Sequence, residues 1–145
     1  MRRTILLFLS VFALSSCGVP ALYYWGGTQN GATTYENLAY KDYKTQTPDV
    51  ICKLICTYEK IVTTPTGTRQ VPPPGICAEY GYLLLQPETA QIFLTTATSQ
   101  QKSAFKGNDY ESLFLERGKE MLQKELEYYP ESRVFVEPLI KKLVQ

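Results

Sequence analysis

Histidine is absent from the 145 residues, so the side chain that most often serves as general base beside a Ser or Cys nucleophile is missing. The same absence removes the commonest nitrogen ligand for zinc, which asks for four well-spaced N or S donors, or three and a water. No glycine-rich phosphate loop, metal-ligand set or Ser-to-Lys motif stands out. Neither sign of charge dominates, with 15 Lys and Arg against 14 Asp and Glu, and this argues against a nucleic-acid or polybasic membrane footprint. Carboxylates remain: Glu79, and further on Glu116, Glu120 and Glu125, at spacings that belong to a solvated helix face. The expectation is a protein that is not an enzyme and that takes no metal, no small-molecule substrate and no nucleic acid.

Charge is also lacking between Thr4 and Glu36. Met1-Arg2-Arg3-Thr4 is a short cationic start, Ile5 to Leu14 is apolar, and Leu14-Ser15-Ser16-Cys17 closes the run with small residues and a thiol. This is the order of a secretory signal, and its ending resembles the lipobox of bacterial lipoproteins. The resemblance implies cleavage before Cys17 and acylation of that residue, by palmitate or a similar chain, with a lipid as the sole covalent group. Two or more acyl chains anchor stably where one does not, at about 0.8 kcal/mol per buried methylene. An uncleaved anchor helix over Ile5 to Trp25 and an ordinary cleaved signal are the alternatives. Against the helix, Ser15, Ser16, Gly18 and Pro20 crowd its second half, and a span needs about 20 mostly apolar residues. Gly18 after the cysteine favours the outer membrane in bacteria that use Asp there for inner-membrane retention.

The chain then divides into a signal peptide (1–16), a lipid-anchored leader rich in aromatics and glycine (17–31), and one helical domain (32–145). Arg2 and Arg3 leave with the signal, so the net charge falls to about −1. Hydrophobic residues make up 44%, enough for a modest core. With Cys17 acylated, Cys52, Cys56 and Cys77 are left, an odd number in a disulfide-permissive compartment. Either Cys52 or Cys56 pairs with Cys77, closing a loop that contributes about 3 kcal/mol, or all three are buried thiols.

In the leader, Tyr23-Tyr24-Trp25-Gly26-Gly27 is followed by Asn30-Gly31, a turn signal. Its rings form a docking patch or a headgroup-level belt, or fold back as core. Thr33 and Glu36 form a capping box for a helix with Tyr35, Leu38, Ala39 and Tyr43 on its apolar side. Thr47-Pro48-Asp49 opens a second helix, carrying Ile51, Leu54, Ile55, Tyr58 and Val62. Residues 63–75 hold Pro65, Gly67 and Pro72-Pro73-Pro74, a stiff connector. Helix resumes over 75–85, where Gly81 marks close approach by a neighbour because glycine costs about 1 kcal/mol in a helix interior. Another helix is expected over 88–105. Asn108 caps the next, with Phe114, Gly118, Met121, Leu122 and Tyr129 inward and Lys119, Glu120, Lys124 and Glu125 outward. Ser132 caps the last, with Phe135, Val136, Leu139, Ile140 and Leu143 inward. No alternating strand is evident, so the fold class is all-α.

Ala78, Gly81 and Leu84, then Gly118, Leu122 and Pro130, are spaced like parts of a tetratricopeptide hairpin. The interval from Gly81 to Gly118 is 37 residues where that motif has about 12, which leaves an insertion near 87–110. Leu22-Tyr23-Tyr24-Trp25-Gly26-Gly27, Pro74 to Leu83, and Tyr129-Pro130-Glu131-Ser132 followed by Phe135, Leu139 and Ile140 resemble an uncharacterised family of small bacterial lipoproteins with tetratricopeptide-like helices. Genes of that family often lie beside a lipoprotein resembling the curli secretion channel. The resemblance implies antiparallel tetratricopeptide-like hairpins, an outer-membrane site facing the periplasm, and a curli-channel-like lipoprotein as partner. It supplies no catalytic residues.

Eleven Tyr and one Trp in a nearly neutral chain suit a protein interface. Tyr23, Tyr24, Trp25, Tyr80, Tyr82, Tyr110 and Tyr128 are the candidate contact residues, with core or plain surface as the other reading of each. The expected function is a non-catalytic binding or assembly subunit of an envelope or secretion complex. A pilot for a channel subunit and a glycan- or peptidoglycan-binding protein are the alternatives, the last requiring exposed, rigidly arrayed aromatics.

Overall fold

The computed structural model describes residues 20–41 and 46–144. The expected signal peptide (1–16), Cys17 and Tyr43 lie outside the described residues. The chain is mostly helical, as the all-α expectation has it, and no described helix is long and apolar enough to cross a membrane.

Asn30 and Gly31 both adopt positive φ, 54° and 78°, the geometry that lets a two-residue turn follow the twist of its strands. They join a minimal hairpin of β1 (Thr28–Gln29) and β2 (Ala32–Thr33). The Thr33 and Glu36 capping box starts α1 (Thr34–Glu36), which passes into a π-helical turn over Asn37–Lys41. Helix α2 (Pro48–Thr63) opens with the Thr47 hydroxyl accepting from the Val50 amide. It buries Cys52, Leu54, Ile55, Tyr58 and Ile61, the spacing of one helix face.

The connector lies against the leader. Thr68 and Arg69 amides donate to Ala21 and Leu22 carbonyls at 3.1 and 3.2 Å. Gly67, at φ +98°, comes so near that a Cβ would lie 2.7 Å from the Leu22 carbonyl oxygen, so only glycine fits there.

Helices α3 (Ile76–Leu84) and α6 (Tyr110–Tyr128) form the most extensive helix pair. They cross where Gly81 meets Gly118, the close approach that Gly81 signalled. A Cβ on Gly81 would stand 2.8 Å from the Gly118 carbonyl oxygen, and one on Gly118 would stand 2.6 Å from Leu85 Cγ. Gly81→Ala gains roughly 1 kcal/mol of helix propensity but must push the helices apart, so a net destabilisation of about 1–3 kcal/mol is expected by urea titration. A neutral or stabilised variant would show that the contact yields.

The single helix expected over 88–105 is two. Helix α4 (Thr89–Thr96) ends at Ala97, and α5 (Ser99–Lys102) begins from a capping box in which Thr98 and Gln101 exchange hydrogen bonds. The run of threonines favours this break, because a Thr side chain satisfies backbone donors better at a cap than inside a helix. The segment is no appendage. Phe93 is fully buried and meets Phe105, Tyr110 and Phe114 at 5.1–5.3 Å between centroids, all edge-on. Such pairs each contribute about 0.5–1.5 kcal/mol beyond burial.

Four further expectations are corrected, wholly or in part, at the chain's end. The cap of α6 is Asp109, not Asn108, with its carboxylate accepting from the Ser112 amide at 3.2 Å. In α7 (Arg133–Leu143), Val136 is buried but Phe135 is 76% exposed, because α7 rests on the body through one narrow face. Ser132 holds the N-cap position of α7 but makes no side-chain cap bond there; its hydroxyl donates to Glu125 at 3.1 Å. Glu125 was expected to face outward, yet it is 0% exposed. Its two oxygens accept from the Gly75 and Ala78 amides at 2.9 and 3.4 Å. Gly75 has no side chain to cap α3, and Glu125 supplies that cap from α6, next to the positive end of the helix dipole.

Candidate functional site

A half-open groove of about 620 Å³ runs between α1, α2 and α3, within the size range of ligand pockets. Helix α2 contributes Val50, Ile51, Leu54 and Tyr58, α3 contributes Glu79, Tyr82 and Leu83, and Gln86 follows just beyond its end. The α3 residues stand at i, i+3 and i+4, one stripe of a helix. The α1 segment adds Tyr35, Leu38, Ala39 and Tyr40.

At its inner wall, the Tyr35 and Tyr58 hydroxyls both donate to the same oxygen of Glu79, Oε2, each at 2.8 Å. The two rings lie 5.9 Å apart, and Tyr35 also contacts Trp25 at 5.4 Å and Tyr40 at 6.3 Å. Burial first, then the Glu79 charge and hydrogen bond, hold the Tyr35 and Tyr58 hydroxyls well above the ordinary tyrosine range. Both remain hydrogen-bond donors at neutral pH.

A second polar ladder lies behind the groove. The Tyr80 hydroxyl donates to Glu59 Oε2 at 2.7 Å, and Arg117 donates to both Glu59 oxygens at 3.1 and 2.8 Å. Arg117 reaches Glu120 at 2.6 Å, and Lys124 reaches Glu120 at 2.9 Å. Tyr80 stacks on Tyr58 at 5.5 Å and is fully buried. Burial and the Glu59 charge push its hydroxyl well up. Burial disfavours the Arg117 charge, but hydrogen bonds to Glu120 and Glu59 outweigh it and raise its pKa.

Of the seven candidate contact aromatics, Tyr80 and Tyr110 are core residues, which corrects the interface reading of both. Tyr80 has its hydroxyl satisfied by Glu59, and Tyr110 packs its ring on Phe93 and Phe114. Tyr82 lies on the groove rim, 47% exposed, and Tyr128 is exposed at the end of α6. Tyr23, Tyr24 and Trp25 are half-buried. Trp25 spends one ring face on Tyr35, and Tyr24 has Lys60 Nζ over its ring at 5.9 Å.

Cys52, Cys56 and Cys77 are free thiols, Cys52 and Cys77 buried and Cys56 half-buried. Burial raises Cys56 to about 11 and Cys77 to about 12, so neither supplies an appreciable thiolate at neutral pH. Among the described residues no group of His, Cys, Asp or Glu is placed to hold a metal ion.

Glu79 is exposed, and Tyr35 and Tyr58 are buried on apolar faces, as the sequence implies for each; what the sequence does not reveal is that both hydroxyls converge on that one carboxylate. The available signal was that tyrosines on a buried face need an acceptor for their hydroxyls. The chain matches no family model, no curated protein and no solved structure.

Proposed function

We propose that the protein is a non-catalytic binding subunit of a bacterial outer-membrane assembly, tethered through acylated Cys17 and facing the periplasm. The groove between α1, α2 and α3 carries this reading: it is largely apolar, walled by aromatic side chains, and open to solvent on one side. Such a concave surface beside paired helices suits a segment of another protein. In this proposal α3 and α6 are a tetratricopeptide-like hairpin pinched at Gly81 and Gly118, with α4 and α5 inserted between them. A curli-channel-like lipoprotein is the partner that the family resemblance implies. Sugar stacking by Trp25 is the weaker alternative, since Tyr35 already covers part of that ring.

The test is cross-linking in intact cells, followed by membrane solubilisation and identification of co-purifying proteins, with Cys17→Ser as control. The control is expected to lose its acyl mass and its membrane fraction, and the partner with them. Unchanged mass and fractionation in the control would sink the tether. Recovery of peptidoglycan fragments in place of a protein would give the groove's role to the glycan reading.

A further inference from the structure

Glu79 offers the groove a carboxylate with one oxygen already committed. Oε2 takes both tyrosine hydroxyls, whereas no hydrogen bond among the described residues occupies Oε1. Glu88 adds a second acid to the lining, and none of the described lining residues is Lys or Arg. The described lining, apolar and aromatic-walled with two acids, is complementary to a cation on an aliphatic stem. The Tyr35 and Tyr58 hydroxyls fix the carboxylate in place, so little ordering of Glu79 is left for the ligand to impose.

We infer that the groove receives an apolar peptide segment of the partner that carries one lysine, whose ammonium meets Glu79 Oε1. The reason for lysine is geometric. A guanidinium binds best by two parallel hydrogen bonds to the two oxygens of a carboxylate. Here the two tyrosine hydroxyls fill the lone-pair sites of Oε2, so the fork is blocked and a point charge fits better. This inference rests on the protein-binding reading of the groove and adds the chemistry of the occupant.

The probe is a fluorescein-labelled peptide, Gly-Leu-Ile-Lys-Leu-Val-Gly, with versions bearing Arg or norleucine in place of Lys, titrated by anisotropy against the full chain in detergent. Lys is expected to bind roughly tenfold or more tighter than norleucine, the size of a hydrogen bond to a charged group, and several-fold tighter than Arg. Glu79→Gln keeps an acceptor for the tyrosines and should erase the preference for Lys over norleucine. Tyr58→Phe frees one site on Oε2 and should narrow the gap between Arg and Lys. Circular dichroism of each variant checks that it is folded. Equal binding of Lys and norleucine peptides, or a Lys preference that survives Glu79→Gln, overturns the inference. So does capture by phosphatidylcholine vesicles with no peptide binding. If cross-linking has recovered a protein partner, a flat peptide series removes only the lysine and leaves the binding reading standing.

Discussion

Glu125→Ala is expected to destabilise the protein by about 3–5 kcal/mol, a large share of the 5–15 kcal/mol that holds a domain of this size together. The side chain is completely enclosed and serves three donors: the Gly75 and Ala78 amides and the Ser132 hydroxyl. Truncation orphans two backbone donors at the start of α3, each costing about 1–3 kcal/mol when buried, and leaves a cavity besides. No water-facing cap can substitute, since Gly75 has no side chain. Glu125→Gln places an acceptor opposite Gly75 and Ser132 but an amide group opposite Ala78, so a smaller loss of about 1–2 kcal/mol is expected. Urea unfolding of the two variants measures both. A loss under about 1 kcal/mol for the alanine variant would mean that α3 finds another cap.

Alkaline pH is expected to unfold the protein cooperatively, starting near the ordinary tyrosine value of 10.0. Tyr35, Tyr58 and Tyr80 are buried, and each is held protonated, by burial and by a neighbouring Glu, beyond the pH at which the unfolded chain ionises. The folded pKa values are raised, so their contribution is fully present below the unfolded value and is lost as pH climbs toward the folded values. Above that onset the unfolded state binds fewer protons, and stability falls by up to about 1.4 kcal/mol per pH unit for each group. Three groups acting together remove about 4 kcal/mol per unit. Urea midpoints between about pH 8 and about pH 11, with tyrosinate absorbance followed in parallel, give the answer. These tyrosines should ionise only as the helical signal is lost. Gradual ionisation of all eleven tyrosines in a chain that stays helical would refute the argument.

Helix positions were legible where local chemistry fixes them. Thr33 with Glu36 and Thr47 with Pro48 encode their own starts, and both caps form. Gly81 could be read as a crossing point because nothing local explains glycine in that helix. Its counterpart Gly118 could be placed on the inward face of its helix and in a hairpin resemblance, but nothing local marks it as the residue that Gly81 meets. What failed was long-range. Glu125 sits among acids that alternate with lysines, and nothing nearby distinguishes it from Glu120. Its burial follows from α3 needing an acceptor, a demand made 50 residues away. Phe135 fits the apolar period of α7, but among the described residues that helix packs through its Val136 face and leaves the Phe135 ring exposed, so periodicity alone misplaces it. The groove was invisible for the same reason: Tyr35, Tyr58 and Glu79 come from three separate helices, and each alone has a plainer reading.

The distance between Gly75 and Glu125 along the chain also bears on the order in which the molecule assembles. In the first turn of α3 the Ile76 and Glu79 amides bond locally to the Pro73 and Gly75 carbonyls, but the Gly75 and Ala78 amides meet their Glu125 acceptor only once a loop of 50 residues has come together. Loop-closure entropy rises slowly with length, yet it must be overcome before that contact is rewarded, and non-local contacts of this kind slow folding. The chain between the two, α4 and α5 with Phe93 at its centre, packs on α6 and on α2 and so shortens the search. In kinetic terms the α4–α5 segment helps to bring α3 and α6 together, and the start of α3 is expected to order late.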